Sequence, residues 1–233
     1  MAEIRRAAAA LIIPALNEEA SLGATLARVP RHLYRVILVA DNGSTDRTAA
    51  VALDAGAFVV RAPERGYGAA CLSALGAVPD EVEAIVFMQA DGSEDAGEAA
   101  LLLAPIYEGR ADLVIGSRRA DALRPHQAFG NALAVLLIRL LHRHKYTDLG
   151  PYRAIRVASL KRLDMRDRNY GWTAEMQVKA VRQGLRVLEV PISTRPRIAG
   201  REKVSGSAKG SLLAGIKIIW TILKLAGSRR MTA

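Results

Sequence analysis

Short apolar runs rich in β-branched residues alternate with helical patterns through the first half of the chain. Strands are predicted at 10–16 (ALIIPAL), 34–40 (YRVILVA), 57–62 (AFVVRA), 84–90 (AIVFMQA) and 111–117 (ADLVIGS), with helices starting near Glu18, Thr45, Tyr67 and Ala96. Strands separated by helical segments of this length imply right-handed crossovers and a mainly parallel sheet flanked by helices, the α/β class. In open sheets of that kind ligands sit beyond the carboxyl ends of the strands. Those exits carry Asn17 and Glu18, Asp41 to Asp46, Arg65 to Gly68, and Asp91 to Asp95.

The second half changes character. Residues 129–141 form a strongly apolar helical run closed by His142, Arg143, His144 and Lys145; TDLGPYRAIR, RNYGWTAEMQVKAVRQG, a strand in LRVLEVPI and a last helix near 207–226 follow. Neither a repeat nor a low-complexity linker divides the chain. The expected organisation is one compact unit over 1–206, a nucleotide-type half to about 120 and an acceptor-side half after it, followed by an amphipathic helix over 207–233.

Composition narrows this picture. Of the 233 residues 51% are hydrophobic and 5% aromatic, which suits a folded, alanine- and leucine-rich α/β protein. Cys71 is the single cysteine, so it forms no internal disulfide and reads as a small apolar residue in a reducing compartment. Arg5 and Arg6 precede an apolar run in the manner of a secretory signal, but the run reaches Pro14 and NEE without a cleavage region, and it reads as the first strand. The net charge of +10 is concentrated late: after Val190 nine Lys and Arg residues face one acid, Glu202. Phosphates or an anionic membrane surface would answer that excess. Nucleic acid is not expected, because the cations are not interleaved with stacking aromatics and no recognition motif accompanies them.

Two strand exits carry the chemistry. In VADNGSTDRT (39–48) Gly43 permits a tight turn and Ser44 or Thr45 can cap a helix, which is the plain structural reading; Asp41 and Asn42 also offer an acceptor and a donor suited to a base edge. In QADGSED (89–95) a carboxylate leaving a central strand suits a divalent cation held by oxygen ligands, and such a cation neutralises the phosphates of a leaving nucleotide. An ordinary acidic turn before a helix is the alternative there.

Taken in order, IPALNEE (13–19), VADNGSTDRT (39–48), RGYGAAC (65–71), QADGSED (89–95), VIGSR (114–118), TDLGPYRAIR (147–156), GWTAEMQVKA (171–180) and GREKVSG (200–206) span nearly the whole chain. The set resembles the family-2 glycosyltransferases of the nucleotide-sugar-binding type A (GT-A, Rossmann-like) fold, within them the dolichyl-phosphate mannose and glucose synthase-like branch. The resemblance implies a hexosyltransferase that inverts the anomeric carbon while moving a sugar from a UDP- or GDP-sugar. It implies a nucleotide pocket at Pro14, Asn17, Glu18, Asp41, Asn42, Gln89 and Ala90, with Mg2+ or Mn2+ at Asp91 and Ser93. Gln89 stands where the family has the first aspartate of its metal motif and Ser93 where the branch often has glutamine, so a looser metal site is expected, with a catalytically impaired sugar-nucleotide binder as the alternative. Arg118, Arg153, Arg201 and Lys203 match basic positions near the family's phosphates, and Arg195 and Arg197 cluster with the last two.

Asp148 and Glu175 are the candidate carboxylates on the acceptor side. A hydroxyl acceptor needs a base, whereas an ionised phosphate does not, so their role depends on the acceptor; either could instead pair with Arg153 or Lys179. The last helix carries Lys217, Thr221 and Lys224 as one polar stripe on an apolar cylinder, and the apolar run is shorter than a bilayer span. Together with residues 129–141 it suits the headgroup plane, the core or a homodimer contact. On the membrane reading the acceptor is a polyprenyl phosphate and the protein is peripheral at the cytosolic face; a soluble hydroxyl acceptor is the alternative.

Overall fold

The computed structural model describes residues 8–119, 122–200 and 208–227. Seven strands, β1 (Ala9–Ala15), β2 (Tyr34–Asp41), β3 (Phe58–Arg61), β4 (Ala84–Phe87), β5 (Leu113–Ser117), β6 (Arg153–Arg156) and β7 (Val187–Pro191), form one sheet in the order β3-β2-β1-β4-β6-β5-β7. Every pairing is parallel except those of β6, which runs antiparallel between β4 and β5. The helices are α1 (Glu19–Ala27), α2 (Thr48–Asp54), α3 (Tyr67–Leu75), α4 (Ala99–Tyr107), α5 (Pro125–His142), α6 (Val157–Leu163), α7 (Trp172–Arg182) and α8 (Ala208–Gly227).

All of the expected strands form. Strand β6 was not anticipated, because RAIR offers two apolar residues between arginines and no alternation to read; its place is fixed by pairing with both neighbours. Helix α2 starts at Thr48, three residues later than the capping residues suggest, because the acidic turn folds on itself: Ser44 N–H donates to Asp41 (3.0 Å) and Thr48 N–H to Asp46 (2.9 Å). Helix α4 likewise starts at Ala99, after one 3-10 turn over 96–98.

Both faces of the sheet are covered. Along β1 the side chains of Leu11 and Ile13 pack with Leu22 and Leu26 of α1 and Leu102 of α4, while Ala10 and Ile12 join Ala70 of α3, Ile138 of α5 and Met176 of α7 on the other side. The period-2 alternation therefore reads as apolar on both faces. Phe87 meets Trp172 edge to face at 6.0 Å, locking β4 to α7.

The chain moves outward from β1 to β2 and β3, then returns to place β4 on the other side of β1. The β1–β4 ladder ends at Ile12 and Phe87, whereas β1 continues to Ala15 beside β2. Beyond that point the strands part and leave a crevice at the switch point of the sheet, the place where such folds bind ligands.

Helix α8 packs along α5 and α7. Thr221 and Ile222 are buried, Lys217 pairs with Asp167 (2.9 Å), and Thr221 Oγ1 donates to Lys217 O (2.8 Å). Part of the polar stripe thus faces the domain, and Leu212, Leu213, Ile216, Trp220 and Leu223 face outward. By length and composition residues 210–227 suffice to cross a membrane, which corrects the expectation of a run too short to do so. The contacts with α5 and α7 lay the helix along the domain instead. Ile222→Ala, which deletes a fully buried side chain, is expected to cost about 2–4 kcal/mol in urea denaturation.

Candidate functional site

The crevice is a cleft of about 990 Å3. Pro14 and Glu18 enter from the end of β1, Asn42 from β2, Arg65 to Tyr67 from the start of α3, and Gln89 to Asp91, Ser93 and Glu94 from the turn after β4. Arg118 follows β5, Arg124 and Gln127 open α5, and Asn169, Tyr170 and Thr194 to Arg197 close the far wall.

The turn after β4 is shaped by Gly92, at φ +71°, where an added Cβ would collide with the side chain of Ile198. That turn wraps Asp91 around its own loop: Oδ1 accepts from Ser93 N–H (3.0 Å) and from Ser93 Oγ (2.6 Å), and Ser93 Oγ lies 3.3 Å from Gln89 Oε1. An octahedral Mg2+ or Mn2+ at about 2.1 Å from each ligand needs oxygen spacings of about 3.0 Å along its edges. The Asp91–Ser93 and Ser93–Gln89 spacings lie on either side of that value, so these three oxygens would fit along two adjoining edges of such a site, carrying one formal charge. Among the described residues no three His, Cys, Asp or Glu side chains converge as a fuller ligand set, so a cation held here would need its remaining ligands from phosphate or water.

The other oxygen of Asp91 accepts from Arg197 Nη1 (3.1 Å), and Arg197 Nη2 donates to both oxygens of Glu18. One guanidinium thus spans the carboxylates of two strand exits. The segment carrying it is laced to the β4 turn by Arg195 N–H to Ser93 O (2.8 Å) and Ile198 N–H to Asp91 O (3.0 Å). The charge cluster at the end of the sequence pointed at Arg197, but nothing in its spacing singled that residue out.

Several expected site residues hold the cleft from outside. Asp148 is buried and grips Arg118 through both oxygens (2.8 Å each) while also accepting its backbone N–H (3.0 Å), which presents the guanidinium to the cleft. Glu175 does not line the cleft: it accepts the N–H groups of Arg166 (3.1 Å) and Asp167 (2.7 Å) and pairs with Lys179 (2.7 Å), bracing the loop that brings Asn169 and Tyr170 to the wall. Arg153 is fully buried, and its donors go to the carbonyls of Leu149, Gly150 and Thr173; this corrects the expectation of a phosphate contact, because no donor faces the cleft.

On the nucleotide side, Asn42 accepts from Gly66 N–H (2.7 Å) and donates to Glu64 O (2.6 Å) and Ala62 O (3.3 Å), so its amide fastens the 62–66 loop instead of presenting both ends to a base. Asn17, at φ +50°, and Asp41 are not part of the cleft lining and instead brace the turn after β2: Thr45 N–H donates to Asn17 Oδ1 (2.8 Å), Asn17 N–H donates to Ser44 Oγ (2.9 Å) and Ser44 N–H donates to Asp41 Oδ1 (3.0 Å). Arg201 and Lys203 lie outside the described residues. Tyr67 and Glu94 lie in the strand exits that the sequence marked, whereas Arg124, Gln127, Asn169 and Tyr170 joined the wall without a sequence signal of their own, since they come from two later connections.

Three comparisons bear on this arrangement. The family model described as "Glycosyl transferase family 2" matches residues 10–163. An uncharacterized glycosyltransferase of Mycobacterium tuberculosis is 41% identical over 219 residues, 93% of this chain and 98% of the relative. The undecaprenyl-phosphate mannosyltransferase of Micrococcus luteus is 30% identical over 222 residues, 88% of this chain and 90% of its own. Among solved structures, glucosyl-3-phosphoglycerate synthase from Mycobacterium tuberculosis, in complex with Mn2+, UDP and glucosyl-3-phosphoglycerate, superposes with a TM-score of 0.79 at 23% identity, covering 97% of this chain and 82% of that one. That likeness shows the type A nucleotide-sugar fold.

Glu94 is buried beside this centre. Its Oε2 accepts from Gln89 N–H (2.7 Å), and Oε1 has no hydrogen-bond partner among the described residues. Burial pushes its pKa up to about 8 from an ordinary value of 4.5, against the pull of the Gln89 N–H and with help from the Asp91 charge. The folded state then binds more protons than the unfolded one between those values, so this contribution is full below about pH 4.5 and is lost as pH rises through about 8. Glu94→Gln is expected to flatten the fall in melting temperature over that range, measured by thermal melts from pH 4.5 to 8.5.

Proposed function

Because this chain belongs to glycosyl transferase family 2, we propose that it moves a hexose from a nucleoside diphosphate to a polyprenyl phosphate at the cytosolic surface of a membrane. Two relatives at 30% identity support the acceptor class: the undecaprenyl-phosphate mannosyltransferase of Micrococcus luteus and the polyprenol monophosphomannose synthase of Mycolicibacterium smegmatis. The observation that carries the reading is helix α5. Its N-cap Arg124 and first-turn Gln127 line the cleft, and the same helix goes on to expose Phe129, Leu136 and Leu140. A lipid phosphate has that shape, an anion for the cleft and a chain for the apolar face beside it.

The donor's diphosphate belongs at the β4 turn, where Asp91, Ser93 and Gln89 would hold a divalent cation that neutralises charge developing on the leaving nucleotide. Pro14, Glu18 and Ala90 line the adjoining part of the cleft. Arg118, aimed by Asp148, grips the acceptor phosphate and turns one of its oxygens toward the anomeric carbon. That oxygen is already ionised at neutral pH, so no carboxylate base is required. Asp148 and Glu175, both engaged in ion pairs and outside the cleft lining, fit this demand. Attack opposite the departing diphosphate in a single displacement inverts the configuration at that carbon.

Outside the cleft, the exposed apolar residues of α8 join those of α5 as a membrane-facing surface. Lys217 and Lys224 lie over the Trp220 ring at 4.7 and 4.8 Å, a cationic and aromatic pairing suited to anionic headgroups. A second reading, a soluble phosphorylated acceptor, would use the same arginines and leave this surface without a role.

Transfer from radiolabelled UDP- and GDP-sugars to polyprenyl phosphate tests the reading. Asp91→Ala is expected to lower transfer by at least about a hundredfold, and a chelator to abolish it. Full activity in chelator defeats the metal assignment. Trp220→Glu is expected to weaken cosedimentation with anionic vesicles by roughly tenfold while leaving melting temperature unchanged. Transfer to small phosphorylated acceptors that exceeds transfer to the lipid, and that Trp220→Glu leaves intact, favours the second reading.

A further inference from the structure

Among the described residues, the cation at Asp91 belongs to the protein itself. Arg197 Nη1 lies 3.1 Å from Asp91 Oδ2, Nη2 donates to both oxygens of Glu18, and Nε donates to Ala199 O (2.7 Å). Oδ1 of Asp91 is engaged as well, by the N–H and hydroxyl of Ser93. The three side chains are mostly withdrawn from water, at 15%, 14% and 8% exposure for Arg197, Asp91 and Glu18, so their charges are weakly screened.

We propose that Arg197 is an internal latch on the carboxylates of the cleft, released when a nucleoside diphosphate takes over its guanidinium, so that divalent cation and nucleotide bind as a pair. Three points carry this. A divalent cation approaching Asp91 meets a fixed positive charge already bonded to the same carboxylate, and like charges at that range repel. A diphosphate offers the guanidinium paired oxygens in the bidentate geometry that suits it, whereas Glu18 now engages it through Nη2 alone. The backbone on either side of Arg197 is held to the β4 turn by Arg195 N–H and Ile198 N–H, so a change of side-chain rotamer suffices for the exchange. By linkage, whatever tightens cation binding through nucleotide also tightens nucleotide binding through cation.

The inference rests on the proposed donor site, and its test separates the two. Binding of Mn2+ is followed by electron paramagnetic resonance of the free ion, in wild type, Arg197→Gln and Arg197→Lys, with and without saturating UDP or GDP; melting temperature reports folding. Wild type is expected to bind Mn2+ weakly alone and more tightly with one of the nucleotides. Arg197→Gln is expected to bind Mn2+ alone on the order of tenfold more tightly than wild type and to gain less from nucleotide. Should the glutamine variant fail to fold, Arg197→Lys keeps the charge but cannot span both carboxylates, and a tightening of a few-fold is expected there. Mn2+ binding without nucleotide that is unchanged or weaker in the folded variants overturns the latch and leaves the transferase reading intact. Absence of Mn2+ binding by wild type with either nucleotide overturns both.

Discussion

Charges brought together in a crevice with little water must be compensated, and that constraint organises this protein. At the switch point of the sheet two strand exits turn carboxylates toward one another, and Arg197 neutralises them across the gap. The same rule recurs in Asp148 with Arg118 and in Glu175 with Lys179. Removing one member of such a pair leaves a partly desolvated charge, so the pairs fix where each chain segment lies. The cleft wall is assembled from loops, and these contacts give loops the precision of a scaffold.

The division of labour follows from the same cause. A carboxylate can act as a base only if its lone pairs face substrate, and those of Glu175 face backbone N–H groups and an ammonium. A guanidinium can hold phosphate only if it reaches the cleft, and that of Arg153 is buried away from it with its donors turned to carbonyls. Residue types suited to chemistry were thus drawn into bracing, one layer behind the cleft. Arg118, Arg124 and Arg197 are left at the wall itself.

Helix α8 shows how packing overrules a helical wheel. Its polar stripe would face water if the helix were alone, but Asp167 offers Lys217 an anion and Thr221 an acceptor (3.4 Å) on the domain side. Polar contacts therefore hold part of the inner face, together with buried Ile222, and apolar side chains are turned outward. An exposed surface of that kind beside a cationic cleft is the feature on which the proposed lipid phosphate acceptor rests.

Much was legible in the sequence because it depends on local periodicity. The strands of the first half, the parallel sheet and the polar strand exits follow from alternation and spacing, and the ordered motifs carried the family, its fold and Asp91 beside Ser93 and Gln89. Strand β6 was not legible, since four residues ending in arginines become a strand only between two waiting edges. Nor was the direction in which Arg153, Asn42 and Glu175 point, or the reach of Arg197 to Glu18 across 179 positions of chain. Pattern along the chain fixes which residues arrive at the end of the sheet; only the packing of distant segments decides which lone pairs and donors remain for a ligand, because each is claimed by the nearest partner in space.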